Sequence, residues 1–473
     1  MVRKVEGLEG RLGFGGGGEG GGNGEWNGSR PENENGDGRP ATEKLSCAPN
    51  FSTQRYPGPE GFPSLLFLDS PLFEYERLAV QTPSIRVPPG ALASLGSSGE
   101  LRALVEKYFA TTHLYFPIVS KIRLHQHLAN PAHEPGANIA LLFLAMKLAS
   151  TPLPVGVAPQ QTQMYTDVKS FFAYVEAQNG FSIQLIQAAL LIALYELGHA
   201  VYPAAYLTIG HCARLGYAMG IHERGVPQML ARPQTWTEQE ERRRVWWGVI
   251  VLDRFVNLGH RGKPFASAEP SIEAHLPTDD ASWDRGQMLV AAPLSLSAHQ
   301  TTRASPFARV CQAAHLLGRV IAHIDDGKMP VEYRFEQALQ LSKTVKALAE
   351  AMLTEARERE EEDLVEDRLP CSAIAITFSA LLALYDRYGC TERYIENGPE
   401  TQLIMQQGSI DGLRDVTKLA LQMARRVRRY IAHEDRLGEI SPLALDALYQ
   451  AAANCTYHAY FGGLPKQTRL GIC

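Results

Sequence analysis

The spacing of apolar side chains changes near residue 99. Beyond that point apolar residues recur at intervals of three and four positions, as in Leu101, Leu104 and Val105, so they share one face of a helix. Few segments show the alternation of apolar and polar residues that is typical of strands. We therefore predict an all-α domain over residues 99–462, with a longer loop at 262–306. The helices are predicted at Ile139–Ala149, Met164–Gln178, Ser182–His199, Ala204–Ile221, Thr237–Leu258, Phe307–Asp325, Glu332–Glu366, Ser372–Tyr388, Ser409–Leu437 and Ser441–Phe461.

The chain before residue 99 lacks this helical pattern. Residues 13–40 are rich in glycine and polar residues, and prolines interrupt the sequence from there to residue 98. Because such a composition buries little apolar surface, residues 13–98 are predicted to be a disordered linker. Two short apolar segments within it, Ser64–Leu68 and Phe73–Leu78, are suited to dock on the folded domain. Residues 463–473 are predicted to be a tail.

Residues 1–12 carry a fragment of a heptad pattern. Val5, Leu8 and Leu12 follow a spacing of three and four, with charged residues between them. One heptad cannot hold a coiled coil, and two glycines weaken any helix here. Two interpretations stay open: the fragment is the remnant of a dimerisation helix, which would favour a homodimer, or the spacing is coincidental.

Composition and charge exclude several classes of protein. The 473 residues include 46 Lys and Arg against 51 Asp and Glu, a net charge of −5, so a wholly basic nucleic-acid-binding protein is excluded while a local basic patch is not. The 7 cysteines are dispersed without a CxxC pair, which argues against a zinc module or a disulfide framework and favours a reducing compartment. The best apolar stretches, Ile139–Ala149 and Phe181–Ala200, are short or interrupted by polar residues, so no membrane span is expected.

The helix predicted at Thr237–Leu258 carries the densest group of charged and aromatic residues. Thr237 and Glu240 have the spacing of a capping box. The predicted core stripe consists of Val245, Val249, Leu252 and Val256. The adjacent Arg242, Arg243 and Arg244 oppose the helix dipole and need acidic partners, which Glu238, Glu240 and Glu241 are close enough to provide. We favour a network that braces neighbouring helices, with guanidinium groups stacked on Trp246 or Trp247, over a phosphate or DNA contact.

Other polar residues raise chemical alternatives that we weigh against structural ones. His113, His125, His127 and His133 are interpreted as solvated surface histidines rather than as metal ligands, and His211 and His222 as structural histidines. The small residues Ala205, Cys212, Ala213, Gly216 and Gly220 predict close packing between helices. The acidic run Glu355–Asp363 is interpreted as a solvated helix face, and the arginines at 425–429 as the polar side of an amphipathic helix.

Asp279 and Asp280 suggest an enzymatic alternative. Some all-α enzymes hold magnesium and diphosphate through paired aspartates. Here the pair follows a Leu-Pro sequence in a predicted loop, and no second acidic helix motif lies downstream. No nucleotide-binding loop, metalloprotease motif or nucleophile elbow is present in the sequence. A magnesium-dependent diphosphate enzyme and a non-catalytic interaction scaffold are therefore kept only as alternatives.

Several segments taken together resemble the fungal-specific transcription factor regulatory domain, the middle homology region of fungal zinc-cluster regulators. The resembling segments are Tyr108-Phe109 with His113, Phe116-Pro117-Ile118, Ala205 to His222, Glu241 to Trp247, Leu252-Asp253-Arg254, Gly262-Lys263-Pro264 and Leu276 to Asp280. The family-motif residues, expected to be structural rather than catalytic or metal-binding, are Arg242, Arg243, Arg244, Trp246, Trp247, Asp253, Arg254, Gly262, Pro264, Pro277, Asp279 and Asp280.

The resemblance implies a nuclear protein that regulates RNA polymerase II transcription through an all-α domain, without enzymatic activity. Members usually carry an N-terminal six-cysteine zinc cluster, but Cys47 is the single cysteine before Cys212. This chain is therefore expected to hold no cofactor and to reach DNA only through a zinc cluster missing from the sequence or supplied by a partner. The transcription machinery, a partner regulator and a small-molecule ligand are the other expected partners. Target genes, ligand identity and the direction of regulation are not specified by the sequence.

Overall fold

A computed structural model of the chain describes residues 65–76, 78, 80, 83–129, 136–154, 156–223, 229–259, 262–288, 293–299, 302–363, 372–389, 399–432 and 436–461. The side chains at 332, 359–363 and 456–461 are outside this description. All of the described residues belong to one compact unit, Tyr56–Cys473. The fragment at 1–12, the glycine-rich segment at 13–40 and the tail at 463–473 lie outside the described residues.

The all-α fold class is confirmed. Over the described residues the pairing of strands is limited to an isolated bridge between His275 and Ser295 in the long loop. The helices are α1 (Leu65–Leu68), α2 (Ser70–Tyr75), α3 (Pro89–Leu95), α4 (Ser98–Ala110), α5 (Thr112–Tyr115), α6 (Lys121–Ala129), α7 (Ala137–Ser150), α8 (Gln163–Ala177), α9 (Ile183–Gly198), α10 (Tyr202–Met219), α11 (Trp236–Val256), α12 (Asp280–Asp284), α13 (Pro306–Asp325), α14 (Val331–Asp363), α15 (Ser372–Gly389), α16 (Glu400–Ala432) and α17 (Leu445–Phe461). None of these described helices is long and apolar enough to cross a membrane.

Helices α7, α9 and α15 form the centre of the hydrophobic core. Most of their residues are buried, so other elements surround each of these helices on nearly every side. Helix α9 packs against α7 and α10, while α15 packs against α13 and α16. Helix α11 contacts both α9 and α13, so it joins the two groups of helices. The segment Arg242–Trp247 of α11, which we call the arginine–tryptophan motif, therefore lies between these two groups of helices.

The structure differs from the expected disorder at residues 65–95, where α1, α2 and α3 form. Asp69 caps α2 by accepting a hydrogen bond from the Leu72 backbone N–H at 3.1 Å. Leu66 and Phe73 are buried in the same core cluster as the later helices, and this burial explains why the short segments are ordered. The remaining domain boundaries stay predictions.

Helix α16 begins at Glu400, nine positions before the predicted start at Ser409. The apolar pattern at the beginning of this helix is misleading, because Leu403 and Ile404 are 55% and 54% exposed. The residues that face the core there are Gln402 and Met405. Because a polar side chain is buried here and two apolar ones are exposed, the apolar residues do not show the helical period.

Candidate effector cavity beside the arginine–tryptophan helix

The cap of α11 lies two residues before the predicted position. Thr235 accepts a hydrogen bond from the Glu238 N–H at 3.2 Å, and the Glu238 carboxylate accepts one from the Gln234 N–H at 3.0 Å. The predicted capping box of Thr237 and Glu240 is therefore wrong. Both threonines precede a glutamate by three positions, but Glu240 is fully buried and binds arginines instead of the helix end.

Arg244 is fully buried at the junction of α11 with the long loop. Its Nε donates to Glu240 at 3.1 Å, and its Nη1 donates to Asp280 at 2.7 Å. Its Nη2 donates to the Thr278 carbonyl at 2.7 Å. The guanidinium carbon lies 4.1 Å from the centroid of the Trp283 ring. For Arg244 the stacking partner is therefore Trp283 and not Trp246 or Trp247, the partners predicted from the sequence.

The other charged residues of the motif also form internal contacts. Arg242 donates to the Ala231 carbonyl and pairs with Glu238 at 3.2 Å. Arg243 pairs with Glu240. Glu241, expected to neutralise these arginines, forms an ion pair with Arg123 of α6, and its charge also acts on Arg242. Its carboxylate also accepts hydrogen bonds from the Ser120 N–H and the Gln187 side chain, both at 2.9 Å.

Both aspartates of the enzymatic alternative are engaged in packing. Asp279 caps α12 by accepting from the Ser282 N–H at 2.8 Å. Asp280 binds Arg244 and also accepts from the Phe307 N–H at 3.1 Å, which fixes the start of α13. Among the described residues no group of three or more His, Cys, Asp or Glu is arranged to hold a metal ion.

His113 is buried, so its interpretation as a solvated histidine is wrong. Its Nε2 lies 3.0 Å from Asp284, and its ring is stacked against Trp283 at 6.1 Å between centroids. The His113 ring therefore connects α5 to α12. The sequence gives no indication of this contact, because the two helices are far apart along the chain. His125 is partly exposed and lies 3.7 Å from Glu106, while His133 lies outside the described residues.

A second buried ion pair lies near the carboxyl end of α11. Arg254 binds Asp253 at 2.6 Å and donates to the carbonyls of Ser267 and Ala268 at 3.1 and 2.9 Å. Asp253 accepts hydrogen bonds from the Ser267 N–H and hydroxyl, at 2.8 and 2.6 Å. Gly262, with φ +77°, donates its N–H to Asp325 at 3.1 Å. The long loop is thereby attached to α11 and α13.

The adjacent Trp246 and Trp247 of α11 lie in different surroundings. Trp247 is buried, and its Nε1 donates to the His275 carbonyl at 2.9 Å. Trp246 lies against Gly216 of α10, where a built Cβ would come within 2.6 Å of Cζ3 of the indole. The predicted close approach at Gly216 is therefore to an aromatic ring. Gly220, with φ +69°, ends α10 in the left-handed conformation that favours glycine.

A cavity of about 570 Å³ lies between α11, the end of α10 and the long loop. One wall is aromatic: the rings of Tyr217, His222 and Trp246 lie 4.7 to 5.9 Å apart between centroids, edge to face. Segment 268–271 forms the opposite wall. The His222 ring lines this cavity, and its Nδ1 is buried without a hydrogen-bond partner. Cavities of this size and lining accept small organic molecules.

The comparisons with known proteins identify the family. The family model of the fungal specific transcription factor domain matches residues 105–353. The chain belongs to this family. The matched segment extends from α4 into α14, so it contains the arginine–tryptophan helix and the cavity. Membership makes the chain a transcriptional regulator of the fungal type, and neither alternative kept from the sequence has support.

Curated proteins similar to this chain are also fungal transcription factors. Transcription factor BOA15 of Botryotinia fuckeliana is 36% identical over 181 residues, which cover 38% of this chain and 97% of the relative. Transcription factor tazR of Aspergillus terreus is 29% identical over 46% of this chain, and the match spans only 35% of that relative. Tropolone cluster transcription factor tropK of Talaromyces stipitatus is 22% identical over 83% of this chain and 76% of the relative. No solved structure matches significantly.

The structure brings four of the twelve family-motif residues into two ion-paired junctions. Arg244 and Asp280 meet in one, and Asp253 and Arg254 form the other. Pro264 stays exposed and Pro277 is buried in the loop between them. Trp283 has no role that the sequence predicts, and its position four residues after Asp279 is the one signal for it.

Proposed function

We propose that this regulator controls genes of a biosynthetic cluster and that a small molecule in the cavity of about 570 Å³ modulates it. The cavity is the observation that carries the proposal. The name of the relative tropK refers to a tropolone cluster, and its match covers most of both chains. A regulator of such a cluster benefits from sensing a product or precursor of the pathway that it controls.

The position of the cavity suggests how a bound ligand would change the surface that the long loop presents to a partner. Trp246 lines it on one side, and two positions earlier Arg244 holds the loop through Asp280. A ligand that shifts the segment 268–275 acts on a loop that both buried arginine junctions fix. Binding favours whichever loop position it contacts better, and this changes the populations of the two states.

The regulator acts in the nucleus in this proposal, together with the transcription machinery or a partner regulator. DNA is reached through a zinc-cluster module outside this sequence or on a partner, and the protein carries out no chemical reaction. Disruption of the gene tests the first part. We expect transcripts of adjacent biosynthetic genes to change together, and unchanged transcripts under producing conditions would contradict the cluster assignment.

A reporter assay tests the cavity. The full chain is fused to an independent DNA-binding domain, and Ser271→Trp is introduced to fill the space from the loop side. Reporter output is expected to change several-fold because the bulky ring takes the place of a ligand or excludes it. Ser98→Trp, at a serine on α4 that is also exposed, is the matched control. Equal output from wild type and a stably folded Ser271→Trp would exclude a role for the cavity.

A further inference from the structure

The surface of α16 near its carboxyl end carries a dense group of exposed arginines. We call this group the arginine face, and its members are Arg425, Arg426, Arg428 and Arg429. Three of them, Arg425, Arg428 and Arg429, lie on one side of the helix, because residues three and four positions apart are neighbours on a helix surface. The amphipathic pattern of α16 explains why this side is polar, but not why its charge has a single sign.

The positive charge of this part of α16 is not balanced along the helix. Residues 416–432 include five basic residues and no aspartate or glutamate. The ion pairs of α16 among the described residues start further back, where Arg414 pairs with Asp411 and Lys418 with Asp415. The arginine face is therefore a local positive region on a chain whose net charge is −5.

The packing of α16 does not account for the arginine face. Like charges three and four positions apart on a helix repel, as Arg425 does with Arg428 and Arg429. The helix dipole compensates only in the last turn, where Arg429 lies. The buried residues Met423 and Tyr430 lie on the opposite side of the helix. An anionic partner would remove a repulsion that the fold itself leaves in place.

The surroundings of the face favour a phosphate backbone over an acidic protein as that partner. The core of a protein–protein interface contains apolar or aromatic anchors among its polar residues. Residues 405–432 expose no large apolar side chain, and the nearest ones along the chain, Ile404 and Leu437, lie on either side of this stretch. Phosphate groups require only exposed cations, and the planar guanidinium group of arginine binds them in a bidentate manner.

The dimensions of the face suit a single strand of a duplex. An α-helix rises about 1.5 Å per residue, so the face extends about 6 Å along α16, and the long side chains widen its reach. Duplex DNA presents a phosphate about every 3.4 Å along each strand. The face can therefore neutralise about three neighbouring phosphates.

We propose that the arginine face of α16 binds the phosphate backbone of duplex DNA without reading its sequence. The proposal rests on the family membership that makes the chain a transcriptional regulator, and it does not depend on the effector cavity. Contacts to phosphates position a protein on a duplex but carry no sequence information. A zinc-cluster module outside this sequence or on a partner reads the bases, and α16 holds the regulatory domain against the DNA beside that site.

Fluorescence anisotropy of a labelled duplex of about 20 base pairs, titrated with the full chain, tests the proposal. We expect a Kd of about 1–100 µM at about 0.1 M salt, the range of non-specific DNA binding. Two duplexes of unrelated sequence should bind equally. The logarithm of the association constant should fall with the logarithm of the salt concentration with a slope of about −3, because about three phosphates are neutralised.

Variants connect the binding to the arginine face. The triple variant Arg425→Gln/Arg428→Gln/Arg429→Gln should weaken binding about tenfold or more and abolish most of the salt slope. The single variant Arg428→Gln should reduce the slope by about one. Glutamine has a helix propensity close to that of arginine, so α16 should still form, and circular dichroism verifies that the thermal midpoint is retained.

The matched control removes the same number of exposed cations from other helices. It is the triple variant Arg102→Gln/Arg214→Gln/Lys343→Gln, with one change each on α4, α10 and α14. The net charge changes equally in both triple variants, so the control should bind DNA as the wild type does to within about twofold. A loss in the control as large as in the test variant would show that only the total charge matters.

Further outcomes would overturn the proposal. These are a duplex that does not bind even at about 0.05 M salt, and a salt slope that the triple variant leaves unchanged. A deca-glutamate peptide that binds more tightly than the duplex would point to an acidic protein as the partner. An RNA duplex of the same sequence that binds more tightly would point to RNA.

Discussion

The Nη1 of Arg244 lies 2.7 Å from the Oδ1 of Asp280, although 36 positions separate the two residues along the chain. The pair joins α11 to the loop that leads into α13. Because Asp280 also accepts a hydrogen bond from the Phe307 N–H, one carboxylate connects three elements of the fold. The motif that identified the family is therefore a structural junction, and it lies beside the proposed effector cavity.

Replacing Arg244 should destabilise the domain severely. Arg244→Met keeps much of the stacking on Trp283 but removes the cation that faces Glu240 and Asp280. We expect a loss of about 3–5 kcal/mol in the free energy of unfolding, the range observed when one partner of a buried ion pair is deleted. Urea unfolding of the purified chain measures this loss.

The matched control for that prediction is Arg414→Met. Arg414 pairs with Asp411 on the surface of α16 at 3.3 Å, and its side chain is 61% exposed. An exposed pair of this kind contributes less than about 1 kcal/mol. Similar unfolding midpoints for the two variants would contradict the structural role of Arg244.

The contact between Gly216 and Trp246 should not tolerate a methyl group. A Cβ at Gly216 would lie 2.6 Å from the indole, so Gly216→Ala forces the ring to move and should cost about 1–3 kcal/mol of stability. Gly210 on the same helix has 4.0 Å to its nearest neighbour, and Gly210→Ala should stabilise by up to about 1 kcal/mol through helix propensity. Thermal unfolding of both variants is the measurement, and shifts of the same sign would refute the packing argument.

Two cysteines should resist alkylation in the native protein. Cys212 and Cys311 are fully buried, and burial raises the pKa of each thiol above its ordinary value, so little reactive thiolate forms. Iodoacetamide at about pH 8 followed by mass spectrometry should modify the partly exposed Cys455 before either of these two. Both buried thiols should react after denaturation. Modification of Cys212 as fast as Cys455 under native conditions would show that this part of the core opens.

His323 should make the stability depend on pH. Its Nδ1 donates to Gln337 at 2.6 Å and its Nε2 accepts from the Tyr388 hydroxyl at 2.7 Å when the ring is neutral. Burial lowers the pKa of His323 in the folded state. The unfolded state therefore binds the proton more readily, and the free energy of unfolding falls as the pH drops below about 6.5, the ordinary value.

The variant His323→Gln tests this dependence. Urea unfolding at about pH 7.5 and 5.5 should show a larger loss for the wild type than for the variant, because carboxylates titrate equally in both. Identical losses would mean that His323 is not the responsible group. The comparison uses differences between the two proteins, so acid effects elsewhere in the molecule cancel.

Local regularities explain which features could be predicted. The helical period placed α7 to α11 within a few residues, since each buried face repeats every three or four positions. It failed at the start of α16, where Leu403 and Ile404 are exposed. The burial of His113 and the position of the cap of α11 were also predicted wrongly. Both depend on contacts with distant residues that the local pattern does not identify.

The sequence by itself determined the all-α fold class and the positions of the main helices, because these depend on spacing within short segments, and the resemblance of several segments indicated the family. Only the tertiary structure decided that Arg244 stacks on Trp283, that Glu241 binds Arg123, and where the effector cavity lies. A helical period fixes which face of a helix is buried, but not which distant element covers it. The meeting of residues far apart in the chain, and the spaces left between them, follow from how the helices pack together.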